Sequence, residues 1–448
     1  MEADMDSKRS GRRQFLKKGA VLAGAAVGAI QSAKGQTGVS DLIDGRIEGV
    51  KYATAYGERS RFEQARSQRI HDYEKRPFPA KKLTPLQDSV GIITPSPMHF
   101  VADHYVPPDI DPATHRLMIH GMVDRPMIFT LDDLKRLPSV SRVYFMECLA
   151  NSSLNRASRK DMDSVQRAHG RTSCSEWTGV PLSVLLKQAG VQSGASWLNS
   201  EGSDGGRYSY SLPMAKAMDD VIVAYGMNGE AVRPEQGYPL RLLVPGWEGP
   251  FSVKWLRRIK VVDQPQYAKT EVTLHGFLRP DLKGKALWFQ FEMPPKSVIT
   301  RPSGGQQLHG PGFYEITGLA WSGGGVIRRV EVSTDNGRTW KDAELQEPVH
   351  SKAHTRFRFG WNWNGEEAVI QSRCTDERGE RQPSLEEMSR RVGVGMDYWN
   401  KTSVTAFQFN PIQPWRVTRE GEIHNAILDA VPGAPADLRG DGSGHTDH

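Results

Sequence analysis

The chain has 448 residues, 38% hydrophobic and 25% charged, enough for two substantial domains. Its formal charge of +6 is concentrated at the start: residues 1–35 hold seven Lys and Arg against three acids, leaving the remainder nearly neutral. With no concentrated basic block, that balance argues against a nucleic-acid partner. Three cysteines, Cys148, Cys174 and Cys374, are too few for a disulfide scaffold and, being odd in number, cannot all pair. They form no Cys-x-x-Cys-His, so the chain encodes no covalent haem.

In chain order, Arg12-Arg13-Gln14-Phe15-Leu16-Lys17 precedes an uncharged run from Gly19 to Ile30. A twin-arginine pair before a short apolar segment is the pattern of a bacterial leader for export of folded proteins. The run falls short of the ~20 residues that span a bilayer. Residues 1–36 therefore read as a cleaved leader, and a soluble periplasmic protein is expected. No later segment is apolar enough to cross a membrane. Residues 37–89 are polar and read as an extension that wraps or links.

From 90 to 265 the pattern is mixed. Thr130-Leu-Asp-Asp133-Leu134 predicts a capped helix that Pro138 ends. Leu182, Leu185, Leu186 and Ala189 predict a second helix, with Gly190 suited to its C-terminal cap. Leu240–Val244 and Ile259–Val262 read as strands. After about Pro280, Val330–Ser333 and the segment following Asn336-Gly337 predict a hairpin. Phe357, Phe359, Trp361 and Trp363 alternate with other residues as in a half-buried strand, and Val369–Cys374 is another candidate. These short strands predict a β-sandwich over 266–413, followed by a tail over 414–448.

Phosphate-loop, dinucleotide and His-Glu-x-x-His motifs are absent from the sequence. His350 and His354 have ligand-like spacing but sit in a polar stretch, which favours surface histidines over a metal pair. Val143-Tyr-Phe-Met-Glu147-Cys148-Leu-Ala-Asn151 is different: an apolar strand ends by presenting a thiol beside backbone amides. A thiolate there suits a metal ligand or a nucleophile. A buried, inert cysteine is the competing reading.

Several ordered blocks make the chain resemble the sulfite oxidase family of molybdenum enzymes from about Ile92 to Gln413. They are Glu147-Cys148 with Asn151, Glu176-Trp-Thr-Gly-Val-Pro-Leu182, Glu201-Gly-Ser-Asp204, Ala224-Tyr-Gly-Met-Asn-Gly229, Pro239-Leu-Arg241-Leu-Leu-Val-Pro-Gly246 and Val253-Lys-Trp-Leu256. Thr172–Trp177, Arg233–Pro239, Gly246-Trp-Glu-Gly249 and Ser297–Gly305 are most similar to the molybdenum subunits of the Sox sulfane dehydrogenases.

The resemblance implies an α+β fold: a mixed α/β molybdopterin domain followed by an immunoglobulin-like dimerisation sandwich. It implies Mo-molybdopterin as cofactor, with Cys148 as the thiolate ligand. His99, Phe100, His104, Asp204, Gln236, Arg241, Ser252 and Lys254 would bind the cofactor. Arg241 and Lys254 are the expected phosphate partners, and Asp204 an acceptor for pterin N–H groups. Trp177 would wall the metal, and Arg171 and Arg279 would add positive charge for an oxyanion substrate. The implied reaction is oxidation of a sulfur centre, sulfite or a carrier-bound sulfane. Electrons would pass to a separate c-type cytochrome in a homodimer or a heterotetramer with it, with a sulfur-carrier protein as a further partner. A sulfoxide or N-oxide reductase of the same fold, or a catalytically degenerate cofactor-binding subunit, are the alternatives. The chain departs from the family's pattern at Ala102, where an Arg is usual, and at Leu149-Ala150, where a small pair follows the cysteine. It departs again at Ser153, in place of a substrate Arg, and at Gln236, in place of a His.

Overall fold

The Thr130 hydroxyl accepts from the Asp133 amide while the Asp133 carboxylate accepts from the Thr130 amide, and this reciprocal cap starts helix Leu131–Lys135. Helix Leu182–Ala189 buries Leu182, Leu185, Leu186 and Ala189 and ends at Gly190 in the left-handed region, as its spacing predicts. Both belong to a computed structural model that describes residues 68–69, 81–152, 163–278, 283, 286–400, 408–427 and 429–432, all in one compact unit spanning Ala65–His448. The predicted leader, Ser153 and Arg279 lie outside the described residues.

Two five-stranded sheets form the first domain. One runs in the order Glu230–Ala231, Ile222–Met227, Thr172–Pro181, Val140–Glu147, with Arg241–Leu243 also paired to Ile222–Met227. The other runs Met127–Phe129, Leu117–Gly121, Leu256–Val262, Trp197–Gly202, Ser209–Pro213. Leu117–Gly121 pairs with Leu256–Val262 in parallel, and the remaining pairs are antiparallel. Ile119, Leu186, Leu198, Val223, Leu242 and Ile259 are among the residues of their shared core. The strand Lys81–Leu83, within the expected extension, pairs with Val101–Ala102 and so reaches the loop that carries His99 and His104.

The second domain is the expected sandwich. Lys296–Arg301, Gly312–Trp321, Thr355–Trp363 and Glu344–Leu345 form one sheet. Lys341–Asp342, Ile327–Ser333, Ala368–Asp376, Trp415–Val417 and Ile423–Asn425 form the other. Phe357, Trp361 and Trp363 are buried while Arg358, Gly360 and Asn362 face out, and Phe359 is half-buried. The predicted hairpin exists but is looser than its Asn-Gly suggests. Glu331 and Val332 pair with Asp342 and Lys341, and Asp335 organises the intervening loop through Ser333 and Thr339. The sandwich also runs past 413: Trp415 is fully buried, and its strand pairs with Ala368–Asp376. The segment expected as a tail from 414 thus supplies two strands, because its apolar residues complete the second sheet's buried face.

The two domains share one core, in which Phe145, Val165 and Cys174 pack with Val298, Trp321 and Ile370. Close backbone approach seals the contact. Gly246 has φ +74°, and a Cβ there would lie 2.8 Å from the Cα of Gly323 in the sandwich. His354, expected at the surface, is buried in this contact. It pairs with Thr172 and stacks on Phe145, whereas His350 is exposed, so the two do not form a metal pair. His169 bridges Ser152 and Gln413 in the same region.

Burial pulls the pKa of both His169 and His354 from 6.5 down to about 3. An imidazole with a depressed folded pKa takes up its proton more readily once the chain unfolds. Its neutral form therefore stabilises the fold fully above pH ~6.5, and that stability is lost as pH falls toward about 3. Each histidine is expected to contribute a slope of about 1.4 kcal/mol per pH unit in that window. Urea titrations between pH 6 and 4.5 should show stability falling with pH, and a smaller slope in His169→Gln.

Candidate active site

Strand Val140–Glu147 delivers Cys148 to the wall of a cavity that opens to solvent. The Cys148 amide donates to the Arg171 carbonyl at 2.9 Å, and the Asn151 amide closes a turn onto the Cys148 carbonyl at 2.8 Å. The thiol is half-buried, in contrast to the enclosed Cys174 and Cys374: burial pushes the Cys174 pKa up to about 12 and raises that of Cys374 as well. Cys148 is thus the cysteine that faces open space. This separates it from the buried, inert fate that spacing alone left open.

Phe100, His104, Asp204, Gln236, Arg241, Ser252 and Lys254 line the same cavity as Cys148. They come from separate parts of the first domain, and hydrogen bonds fix them. Arg241 is almost fully buried and donates to the carbonyls of Gln236 at 2.9 Å and Ser252 at 3.0 Å, and to the Met146 sulfur. Gln236 donates in turn to the Phe100 carbonyl at 2.8 Å, tying the early loop to the guanidinium. The Ser252 hydroxyl accepts from the Val244 amide at 3.0 Å. Asp204 accepts from the Tyr208 amide at 2.8 Å, and burial raises its pKa.

Sequence reasoning passed over Asp103, whose carboxylate pairs with the Lys254 ammonium inside the cavity. Burial raises the Asp103 pKa, against the opposing pull of Lys254. Met146, Tyr208, Gly249, Pro250, Val253 and Trp255 also line the space, and Tyr208 stacks on His104 with ring centroids 5.4 Å apart. Ala102 lines it too, so the position where the family usually carries an Arg presents only a methyl group.

Three expected residues stand elsewhere. Trp177 is completely buried and backs the site rather than walling it, lying 5.0 Å from the Arg241 guanidinium and 5.9 Å from the His99 ring. His99 lies behind Phe100, stacked at 5.2 Å, and its pKa is pulled to about 3, chiefly by burial. Arg171 is adjacent to Cys148 through its backbone, but its guanidinium donates to the Ala150 carbonyl at 3.1 Å and is not part of the lining.

The donor set fits a molybdopterin. Arg241 is a buried guanidinium with no carboxylate hydrogen-bonded to it among the described residues, and burial lowers its pKa to about 9. Such a charge calls for a counter-charge, and a phosphate ester supplies one that the unpartnered Nε–H can reach as a donor. Arg241 Nε and Asp103 Oδ2, both on lining residues, are buried without a hydrogen-bond partner among the described residues, as a polar cofactor bound between them would require. No group of three His, Cys, Asp or Glu able to hold a metal occurs among the described residues. A metal here would therefore depend on Cys148 together with ligands from the cofactor.

Comparison with known proteins agrees. Residues 104–270 match the family model of the oxidoreductase molybdopterin binding domain, and 288–406 match the Mo-co oxidoreductase dimerisation domain. The sulfane dehydrogenase SoxCD of Paracoccus pantotrophus matches in structure with a TM-score of 0.77 and 35% identity, over 87% of this chain and 99% of that one. The chain belongs to the sulfite oxidase family of molybdopterin oxidoreductases. Mouse mitochondrial sulfite oxidase is 33% identical over 61% of this chain and 52% of its own length. A nitrate reductase [NADH] of Solanum lycopersicum is 33% identical over 65% of this chain and 36% of its own length. The chain thus spans about half or less of the length of these curated relatives.

If Arg241 is a phosphate partner in this sulfite oxidase family site, Arg241→Met should lower molybdenum per purified chain at least tenfold. Thermal melting of the metal-free chain should change little, because relief from a desolvated charge offsets the hydrogen bonds lost at the Gln236 and Ser252 carbonyls. Full metal loading of Arg241→Met would contradict the assignment.

Proposed function

We propose that this chain is the molybdenum subunit of a periplasmic enzyme that oxidises a reduced sulfur centre and passes electrons to a separate c-type cytochrome. The observation that carries this reading is the half-buried Cys148 thiol opening into a cavity that also holds Arg241, Lys254 and Asp204. When bound, the molybdopterin supplies the two-electron chemistry at sulfur. Cys148 would donate its thiolate to the metal, while Arg241 and Lys254 would neutralise the phosphate. Asp204 accepts from pterin N–H groups, and Phe100, Met146 and Val253 give the cavity an apolar lining that limits water.

Sulfur oxidation is favoured over a reductase role by continuity. The likeness to the sulfane dehydrogenase runs through both domains, and the dimerisation domain is present. Ala102 removes one cationic group from the cavity, which weakens capture of a small dianion such as sulfite and favours a sulfane held on a carrier protein. The twin-arginine leader accounts for export after folding around the cofactor. Among the described residues no helix is long and apolar enough to cross a membrane. The dimerisation domain and the SoxCD likeness support a homodimer, or a heterotetramer with the cytochrome, as the assembly.

Anaerobic assays with sulfite, with thiosulfate plus carrier protein, and with methionine sulfoxide test the reaction. Cytochrome reduction by a sulfur donor is expected, and it should vanish in Cys148→Ser while that variant's circular dichroism matches the parent. Methionine sulfoxide turnover alone would favour the reductase, and no reaction of a fully metal-loaded chain would favour a degenerate subunit. The export claim is checked separately by cell fractionation. Cells unable to make molybdopterin should retain or degrade the precursor, and normal periplasmic apoprotein would contradict folding around the cofactor as the export gate.

A further inference from the structure

Glu147 directly precedes the cavity thiol, and its side chain is completely buried. Its Oε1 accepts from Lys296 Nζ at 2.8 Å and from Asn151 Nδ2 at 2.8 Å, and its Oε2 accepts from Trp321 Nε1 at 2.6 Å. Lys296 and Trp321 are cross-strand partners in the sandwich, and among the described residues none from the sandwich lines the cavity. Asn151 closes the turn over Cys148 and also accepts from the Arg171 amide at 3.0 Å. On the other side, a Cβ on Gly249 would lie 2.9 Å from the Glu147 carbonyl oxygen and 3.6 Å from the Cys148 Cα. The backbone of Cys148 is therefore held from the second domain and packed against from the first.

A buried ion pair is a weak source of stability, because desolvation of both charges offsets their attraction. Its strength is geometric: a carboxylate with both oxygens engaged has one orientation. We propose that Lys296 and Trp321 are positioning residues for the metal thiolate, acting through Glu147 to fix the direction from which Cys148 presents its sulfur. Lys296 and Trp321 then tune the metal site without lining it, in the way that outer hydrogen bonds orient metal ligands elsewhere. This inference rests on the assignment of Cys148 as the metal ligand.

The test uses the full-length, metal-loaded chain and reads the metal by electron paramagnetic resonance and X-ray absorption rather than by turnover. Trp321→Phe removes one donor and keeps the ring. Lys296→Met combined with Glu147→Gln removes both buried charges, and its melting temperature should lie within about 3 °C of the parent chain. Both variants should keep the number of sulfur atoms at the metal while shifting the resonance g values beyond the linewidth. Lys296→Met alone should melt lower, since Glu147 is left without its cation, and rescue of melting without rescue of g values separates positioning from stability. Parental g values in both Trp321→Phe and the double variant would overturn the proposal. The assignment beneath it fails separately: Cys148→Ser should lose one sulfur at the metal, and an unchanged sulfur count there would refute the ligand itself.

Discussion

Burying the Glu147 carboxylate is tolerable only if donors surround it, and the donors lie in three places: the turn after Cys148 and two adjacent strands of the sandwich. That requirement couples the domains. The carboxylate beside Cys148 is satisfied only with the second domain docked, and the shared core of Phe145, Cys174, Trp321 and Ile370 is the apolar part of the same contact. His354 and His169 lie in this contact as neutral, hydrogen-bonded groups. A sandwich whose family role is dimerisation therefore also serves the site within one chain.

The cavity itself is built on a different logic. Its cations are held by backbone carbonyls and one carboxylate, so Arg241 and Lys254 are fixed in place with charge to spare. Asp103 balances Lys254, and Arg241 has no carboxylate bonded to it among the described residues. Positive charge aimed into a confined, partly apolar space suits a phosphate-bearing cofactor better than a structural ion pair, which would be closed on itself. Ala102 and Gln236 are neutral lining residues at two positions where the sequence departs from the pattern expected of the family.

Much of this was legible in the sequence wherever the signal was local. The cap at Thr130, the buried face of Leu182–Ala189 and the alternation from Phe357 to Trp363 are each set by neighbours a few residues away. The cavity residues were legible as family blocks, each carried by a short contiguous motif. Long-range partners were not. Lys296 lies 149 residues from Glu147, and Lys254 lies 151 from Asp103, and a single charged residue carries no mark of a partner so distant. Trp177 was placed at the metal by the family resemblance, and a lone buried aromatic carries no local mark of which face of the sheet meets the cavity. His354 was read as exposed from Ser351 and Lys352, although the strand that buries it begins at the next residue, Thr355. The tail assignment missed Trp415–Val417 because three-residue strands fall below any periodic signal.

Anomalous diffraction at the molybdenum edge from crystals of the metal-loaded chain tests the central claim most directly. It should give one peak per chain, in the cavity and within bonding distance of Cys148 Sγ, with Glu147 still bonded to Lys296 and Trp321. A metal peak away from Cys148, or a loaded chain in which Cys148 Sγ is free, would contradict the account.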